Sequence, residues 1–143
     1  MKPGEPDDEP IRLVTVDEAN RLLPRMRRLL SQLQDARRQL LEVQQKLAER
    51  YHGGPRANGH AAPKSERARL TLTSEDAQSQ ISAAVAAIRE LGGELKDPER
   101  GMVDFRTERD GRVVYLCWLM EEPRVVYWHE IDAGYRGRQR LED

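Results

Sequence analysis

The sequence predicts an α+β fold: a long antiparallel helical hairpin, coiled-coil-like, packed with a small antiparallel β-meander of three to four strands. Three observations predict it. A heptad stripe runs without a polar interruption from Ala19 to Leu47. Gly92-Gly93 ends the helical periodicity, and a spacing of two takes over beyond it. Asp110-Gly111 lies between two alternating runs, which is the signature of a type I′ hairpin turn.

At 143 residues the chain is long enough for one domain. Residues 1–10 hold three prolines and four acids and read as a disordered tail ahead of a single domain over 11–143. Charged residues make up 34% of the chain yet the net charge is -1, so no global field favours nucleic acid or acidic lipid. With 38% hydrophobic residues and one Phe, the core must rest on Leu, Val and Ala. The single cysteine, Cys117, excludes an intramolecular disulfide and fits a reducing compartment. Neither a signal-peptide apolar region nor a run long enough to span a membrane is visible. The expected location is the cytoplasm.

Thr15 to Glu18 fits a capping box, with a hydroxyl at the N-cap and Glu three residues on. A helix over roughly 16–50 follows. Its stripe is Ala19, Leu22, Met26, Leu29, Leu33, Ala36, Leu40, Val43 and Leu47, widened by Leu23, Leu30 and Leu41. Pro24 lies inside and predicts a kink. Residues 52–66, rich in Gly, Pro and Ala, read as a flexible connector. The next stretch, 65–73, is ambiguous. A second helix is expected over 74–91 on the stripe Ala77, Ile81, Ala84, Ile88 and Leu91.

The two predicted helices differ in length, about 50 Å against about 27 Å. Either the second begins nearer Ser65, or a second subunit covers the excess. A homodimer through helices 16–50 and 74–91 is the economical expectation.

Beyond Gly93, residues 102–109 and 112–120 form the hairpin about Asp110-Gly111, and 94–97 adds a short piece. Glu121-Glu122-Pro123 makes the next turn, and 124–131 is the third strand. The first turn sets Asp104 opposite Cys117 and Phe105 opposite Leu116. Val103, Phe105, Val114, Leu116 and Trp118 then share the apolar face, which should cover the helices. A three-residue second turn would put Tyr115 opposite His129 and gather Asp104, Cys117, Tyr127 and His129 on the other face. A two-residue turn would bring Trp128 and Glu130 there instead. Burial of Trp118 with Trp128 favours the three-residue turn.

The chain also resembles the bacterial domain of unknown function 2203 family. The resemblance is carried by residues 15–24 (Thr-Val-Asp-Glu-Ala-Asn-Arg-Leu-Leu-Pro), 96–105 (Lys-Asp-Pro-Glu-Arg-Gly-Met-Val-Asp-Phe) and 114–118 (Val-Tyr-Leu-Cys-Trp). Most specific is 128–138 (Trp-His-Glu-Ile-Asp-Ala-Gly-Tyr-Arg-Gly-Arg). It implies a small prokaryotic domain with no assigned activity, and it carries over no catalytic residue. Glu121 departs from the glycine associated with that turn.

Residues 125–138 hold the densest chemistry. Asp104, His129 and Glu130, with Glu94 or Asp97, offer imidazole and carboxylate ligands that suit Zn, Mn or Fe. No tight ligand spacing accompanies them, and neighbours on a strand face opposite ways, so Glu130 joins only if the strand bulges or ends. The simpler reading is His129 hydrogen-bonded to Asp104 or a loop carbonyl. Gly134-Tyr135-Arg136-Gly137-Arg138 offers a second candidate, in which Arg136 and Arg138 grip a phosphate or carboxylate. Its simpler reading is a glycine turn with Arg138 paired to Asp132 or Glu130. Cys117, among apolar neighbours, reads as a buried hydrophobe sooner than as a nucleophile. Arg21, Arg25, Arg27 and Arg28 read as helix-surface charges, since no aromatic platform accompanies them. His52 and His60 fall in the connector.

The functional expectation is a non-catalytic module, a helix-mediated homodimer that binds a protein or a small anionic ligand. Ligand contacts are expected from His129, Asp104, Tyr115, Arg136 and Arg138, with no required cofactor. The alternative is a small metal-dependent, hydrolase-like enzyme using His129, Asp104 and Glu130 on a divalent metal.

Overall fold

The computed structural model describes residues 12–51 and 64–142. The expected tail over 1–10, His52, His60 and most of the connector lie outside the described residues. Two helices and five strands follow in order: α1 (Val16–Tyr51), α2 (Lys64–Glu90), β1 (Gly93–Asp97), β2 (Met102–Arg109), β3 (Arg112–Leu119), β4 (Tyr127–His129) and β5 (Gln139–Arg140). The fold is α+β, a helical hairpin with an antiparallel sheet in the order β1-β2-β3-β4-β5.

The α1 capping box forms as expected. Thr15 N–H donates to Glu18 Oε1 and Glu18 N–H to Thr15 Oγ1, both at 3.1 Å. The helix runs on through Pro24. Its stripe is buried at Ala19, Leu23, Met26, Leu30, Leu33, Ala36 and Val43, whereas Leu41 is 57% exposed. Helix α2 starts ten residues before the expected Ser74, so the end of the expected connector is helical. Leu70 and Thr73 carry the inward face into this earlier part, and both are half-buried. At about 54 Å and about 40 Å the two helices are now much closer in length. The mismatch that motivated a homodimer therefore shrinks from about 23 Å to about 14 Å.

The chain divides into two compact units. One is Arg28–Ala87, the greater part of the two helices, and the other combines the described residues up to Arg27 with those from Ile88 onward. In the second unit Gly92 (φ 95°) ends α2, its N–H bonding Arg89 O. Gly93 opens the sheet under tight packing: a Cβ there would lie 2.9 Å from Val103 Cγ1 and 3.0 Å from Ile88 Cγ2.

Both hairpin registers agree with the sequence reading. Asp110 (φ 53°) and Gly111 (φ 80°) make the I′ turn. Asp104 faces Cys117 and Phe105 faces Leu116, while Tyr115 faces His129 and Cys117 faces Tyr127. The third strand is shorter than expected, three residues in place of eight. Its first half is taken up by other partners. Val125 N–H donates to Asn20 Oδ1, and the Glu122 carbonyl accepts from Trp118 Nε1 and from Arg27. The Val125 bond ties this stretch to α1, while Glu122 is held by both α1 and the end of β3. The fifth strand was not expected. Gln139 and Arg140 pair with Trp128 and Tyr127, and Leu141 N–H bonds Val126 O.

Candidate functional site

Strand alternation sorts the sheet into two faces. Val103, Phe105, Val114, Leu116, Trp118 and Trp128 occupy the apolar one and are buried. Glu94, Asp104, Arg106, Tyr115, Cys117, Tyr127 and His129 share the other, as the register requires.

At the centre of that second face Asp104, Cys117 and His129 meet. They come from three adjacent strands and are 2%, 0% and 1% exposed. His129 Nε2 lies 3.0 Å from Asp104 Oδ2, and its Nδ1 lies 2.7 Å from the Glu130 carbonyl. A carbonyl only accepts, so Nδ1 carries a proton. The remaining bond is either Nε2–H to a carboxylate or a protonated carboxyl to a bare Nε2, and each form leaves the pair neutral as a whole. Burial pushes the Asp104 carboxyl above its ordinary range, against the pull of His129. Asp104 Oδ1 is buried with no hydrogen-bond partner.

Cys117 is the third member. Burial, reinforced by the negative charge of Asp104, pushes its thiol up to about 12. Both nitrogens of His129 are engaged elsewhere, so no base stands ready to take the thiol proton. The arrangement is therefore unlike a nucleophilic Cys–His pair.

A charged cluster sits toward β1. Tyr115 donates to Glu94 Oε1 at 2.8 Å and Arg106 to Glu94 Oε2 at 2.8 Å. Lys96 and Arg106 lie over the Tyr115 ring, which also meets the His129 ring at 5.4 Å. Burial pushes the Glu94 carboxyl up, but the bonds from Arg106 and Tyr115 outweigh it and hold it below the usual carboxylate range. Burial and the bond to Glu94 raise the Tyr115 phenol. With Tyr115 itself only 4% exposed, Tyr115, Asp104 and His129 form an interior cluster and not the open recognition face expected from sequence.

The other predicted residues separate. Glu130 does not join Asp104 and His129, because its carboxylate is paired with Arg112. Only its backbone carbonyl reaches the site. That pairing holds the Glu130 carboxyl below its ordinary value. Asp97 Oδ1 accepts the Arg100 N–H in the β1–β2 turn. Arg138 binds Glu122 Oε1 at 2.6 Å and the Cys117 carbonyl at 3.2 Å, in place of the expected Asp132 or Glu130. Of the helix arginines, Arg27 is committed, to the Glu122 carbonyl and to the Trp118 ring at 5.3 Å.

Sequence reasoning did not foresee the stack these arginines build. Arg138 lies 4.0 Å over Tyr127 and 5.0 Å over Tyr135, and Arg100 lies 4.6 Å over Tyr135. Gly134 (φ 68°) and the 3-10 turn Tyr135–Gly137 bring the tail back to make it. Its outer end is accessible: Tyr135 is 40% exposed, and Arg100 and Arg136 are exposed beside it. The spacing of Arg100 from Tyr135 in sequence carries no signal for this, because the contact depends on the returning tail.

The model of a family described as "Uncharacterized conserved protein (DUF2203)" matches residues 12–141. No curated protein and no solved structure matches the chain.

Proposed function

The chain belongs to the DUF2203 family, and we propose that it is a non-catalytic binding module whose ligand is an anionic group, phosphate or carboxylate, taken up at the outer end of the tail stack. The observation that carries this reading is Tyr135, whose ring lies 4.6 Å from the Arg100 guanidinium and 5.0 Å from that of Arg138, with Arg136 exposed next in sequence. Stacking on aromatic rings restricts a guanidinium while leaving its N–H groups available, so less freedom is lost when an anion binds. Arg138 is spent on Glu122 and serves as the anchor, which leaves Arg100 and Arg136 to make the bidentate contacts. The groups suited to nucleophilic or acid–base chemistry, Cys117 and His129, are buried, and both nitrogens of His129 are committed, to Asp104 and to the Glu130 carbonyl.

The test is a chemical-shift titration with inorganic pyrophosphate and, separately, with a tricarboxylate. Saturable shifts should centre on Arg100, Tyr135 and Arg136, and an Arg100→Ala/Arg136→Ala variant should lose about tenfold or more in affinity. Absence of saturable shifts with both anions would reject the reading.

Self-association of the helices is the second part of the proposal. Leu41 and Leu72, 57% and 65% exposed, are the apolar side chains a second copy would cover. Leu72 lies with Ala68 and Thr71 along a shallow groove on α2. Sedimentation of the wild type and of Leu41→Glu checks it, and a wild type that sediments as a monomer removes it.

A further inference from the structure

The buried trio has a geometry that core packing alone does not explain. Asp104 on β2 is directly opposite Cys117 on β3. His129 on β4 follows by two residues Tyr127, the partner of Cys117, and so returns to the same face. Each residue offers one donor atom, and the three atoms lie within 4.8 Å of one another. We propose that Asp104, Cys117 and His129 bind a single divalent ion of the zinc class through a carboxylate oxygen, Sγ and Nε2.

Several observations converge on it. A tetrahedral ion with ordinary zinc bond lengths sets its nitrogen and oxygen ligands about 3.3 Å apart, and sulfur about 3.5 Å from either. The observed Nε2···Oδ2 separation is 3.0 Å, and the widest of the three is within 4.8 Å. Side-chain rotations of about 1 Å therefore suffice, with the strands unmoved. The Nδ1–H bond to the Glu130 carbonyl fixes the ring and leaves Nε2 as the ligand atom. A backbone carbonyl on the far nitrogen is the usual support of a metal-bound histidine.

Asp104 Oδ1 is the second line of argument. A buried carboxylate oxygen without a partner is rare in a settled core. Hydrogen bonding within the trio joins Oδ2 to Nε2, and the Cys117 thiol is a weak donor toward the Asp104 carboxylate, yet Oδ1 itself makes no hydrogen bond. An ion gives the carboxylate a partner. Thiolate and imidazole together select zinc-like ions over magnesium or calcium. One carboxylate and one thiolate also balance the double charge, as burial demands. Three protein donors leave the fourth position to a water molecule. Binding displaces two protons, the thiol proton and the one shared by Asp104 and His129. The ion would use none of the residues proposed to contact the anion, although Arg138 of the tail stack bonds the Cys117 carbonyl.

The experiment uses the full untagged chain, freed of metal by a chelator and titrated with cobalt(II) as a spectroscopic substitute for zinc. The expected result is one ion per chain, a thiolate-to-cobalt charge-transfer band and the visible spectrum of a four-coordinate ion. Cobalt or zinc should also raise the melting temperature. Cys117→Ser should abolish the charge-transfer band, and Asp104→Asn should weaken binding by at least about tenfold. If either variant fails to fold, the wild-type band and the metal-dependent rise in its melting temperature still decide the matter. A folded wild type that takes up no ion, or takes one up without the thiolate band, overturns the assignment. So does a folded Cys117→Ser variant that binds cobalt unchanged.

Discussion

Replacing Asp104 by alanine removes half of a pair that is almost wholly shielded from water. Asp104 and His129 are 2% and 1% exposed and bonded at 3.0 Å. With the carboxyl gone, Nε2 has no partner, and the ring must either stay neutral and unsatisfied or be buried charged. Breaking a buried pair in this way costs about 3–5 kcal/mol. A domain of this size should then melt roughly 10 °C lower. His129→Leu alone strands the carboxyl and should cost a similar amount, with the Glu130 carbonyl losing its bond as well. The Asp104→Ala/His129→Leu double variant leaves no unpaired charge. It should be more stable than the sum of the single effects predicts, by about 2–3 kcal/mol. Urea unfolding of chelator-treated protein, followed by circular dichroism, measures all four corners of the cycle. Additivity to within about 0.5 kcal/mol would refute the pair as an energetic unit.

Other predictions concern single positions and pH. With its thiol pushed up to about 12 from an ordinary 9.0, native metal-free Cys117 should alkylate at pH 8 about a thousandfold more slowly than in denaturant, and near-equal rates would contradict the burial. The same raised value means stability is complete below about pH 9 and falls as pH rises toward 12, which alkaline melting curves will show or fail to show. Glu94 has the opposite sign: held below the ordinary 4.5, it supports the fold above that pH, and the support is lost as pH falls through its lower native value. Acid unfolding of Glu94→Gln should accordingly be shallower than that of the wild type. Gly93→Ala should cost about 1–3 kcal/mol, because the added methyl meets Val103 and Ile88 at 2.9 and 3.0 Å. A fully stable Gly93→Ala protein would show that the sheet opening yields more easily than its packing suggests.

Legibility in the sequence followed the range of the interactions involved. The Thr15–Glu18 cap and the Asp110-Gly111 turn were readable because each is made within a few residues. The heptad stripe was readable because helix periodicity reports burial directly. The start of α2 was less so: its first turns, Lys64 to Leu72, are mostly charged or exposed, and only a half-buried position every third or fourth residue marks them as helical. β4 was overextended because 124–126 looks like a strand, while its actual bonds run to Asn20 and its neighbours' to Arg27, about a hundred residues away in sequence. β5 exists only because the tail returns, and two residues, Gln139 and Arg140, leave no pattern to detect.

The candidate site shows a different failure, one of weighting. The sequence register already set Asp104, Cys117 and His129 on one face, and the structure keeps that register. From sequence Cys117 reads as an inert hydrophobe because Val114 to Leu119 is apolar throughout. That run is buried along its whole length, so polarity no longer distinguishes the two faces of β3. Glu130 drew attention instead because it adjoins His129, although alternation sends its carboxylate to Arg112. In a strand covered on both sides, adjacency in sequence is a poor guide to adjacency in space, and cross-strand register is the better one. Applied here, register selects the cysteine over the glutamate, and that choice changes the chemistry. An all-carboxylate and imidazole set would accept manganese or iron as readily as zinc, whereas a set containing Cys117 favours the zinc class. The cobalt spectrum separates the two sets directly, because only the second produces a thiolate band.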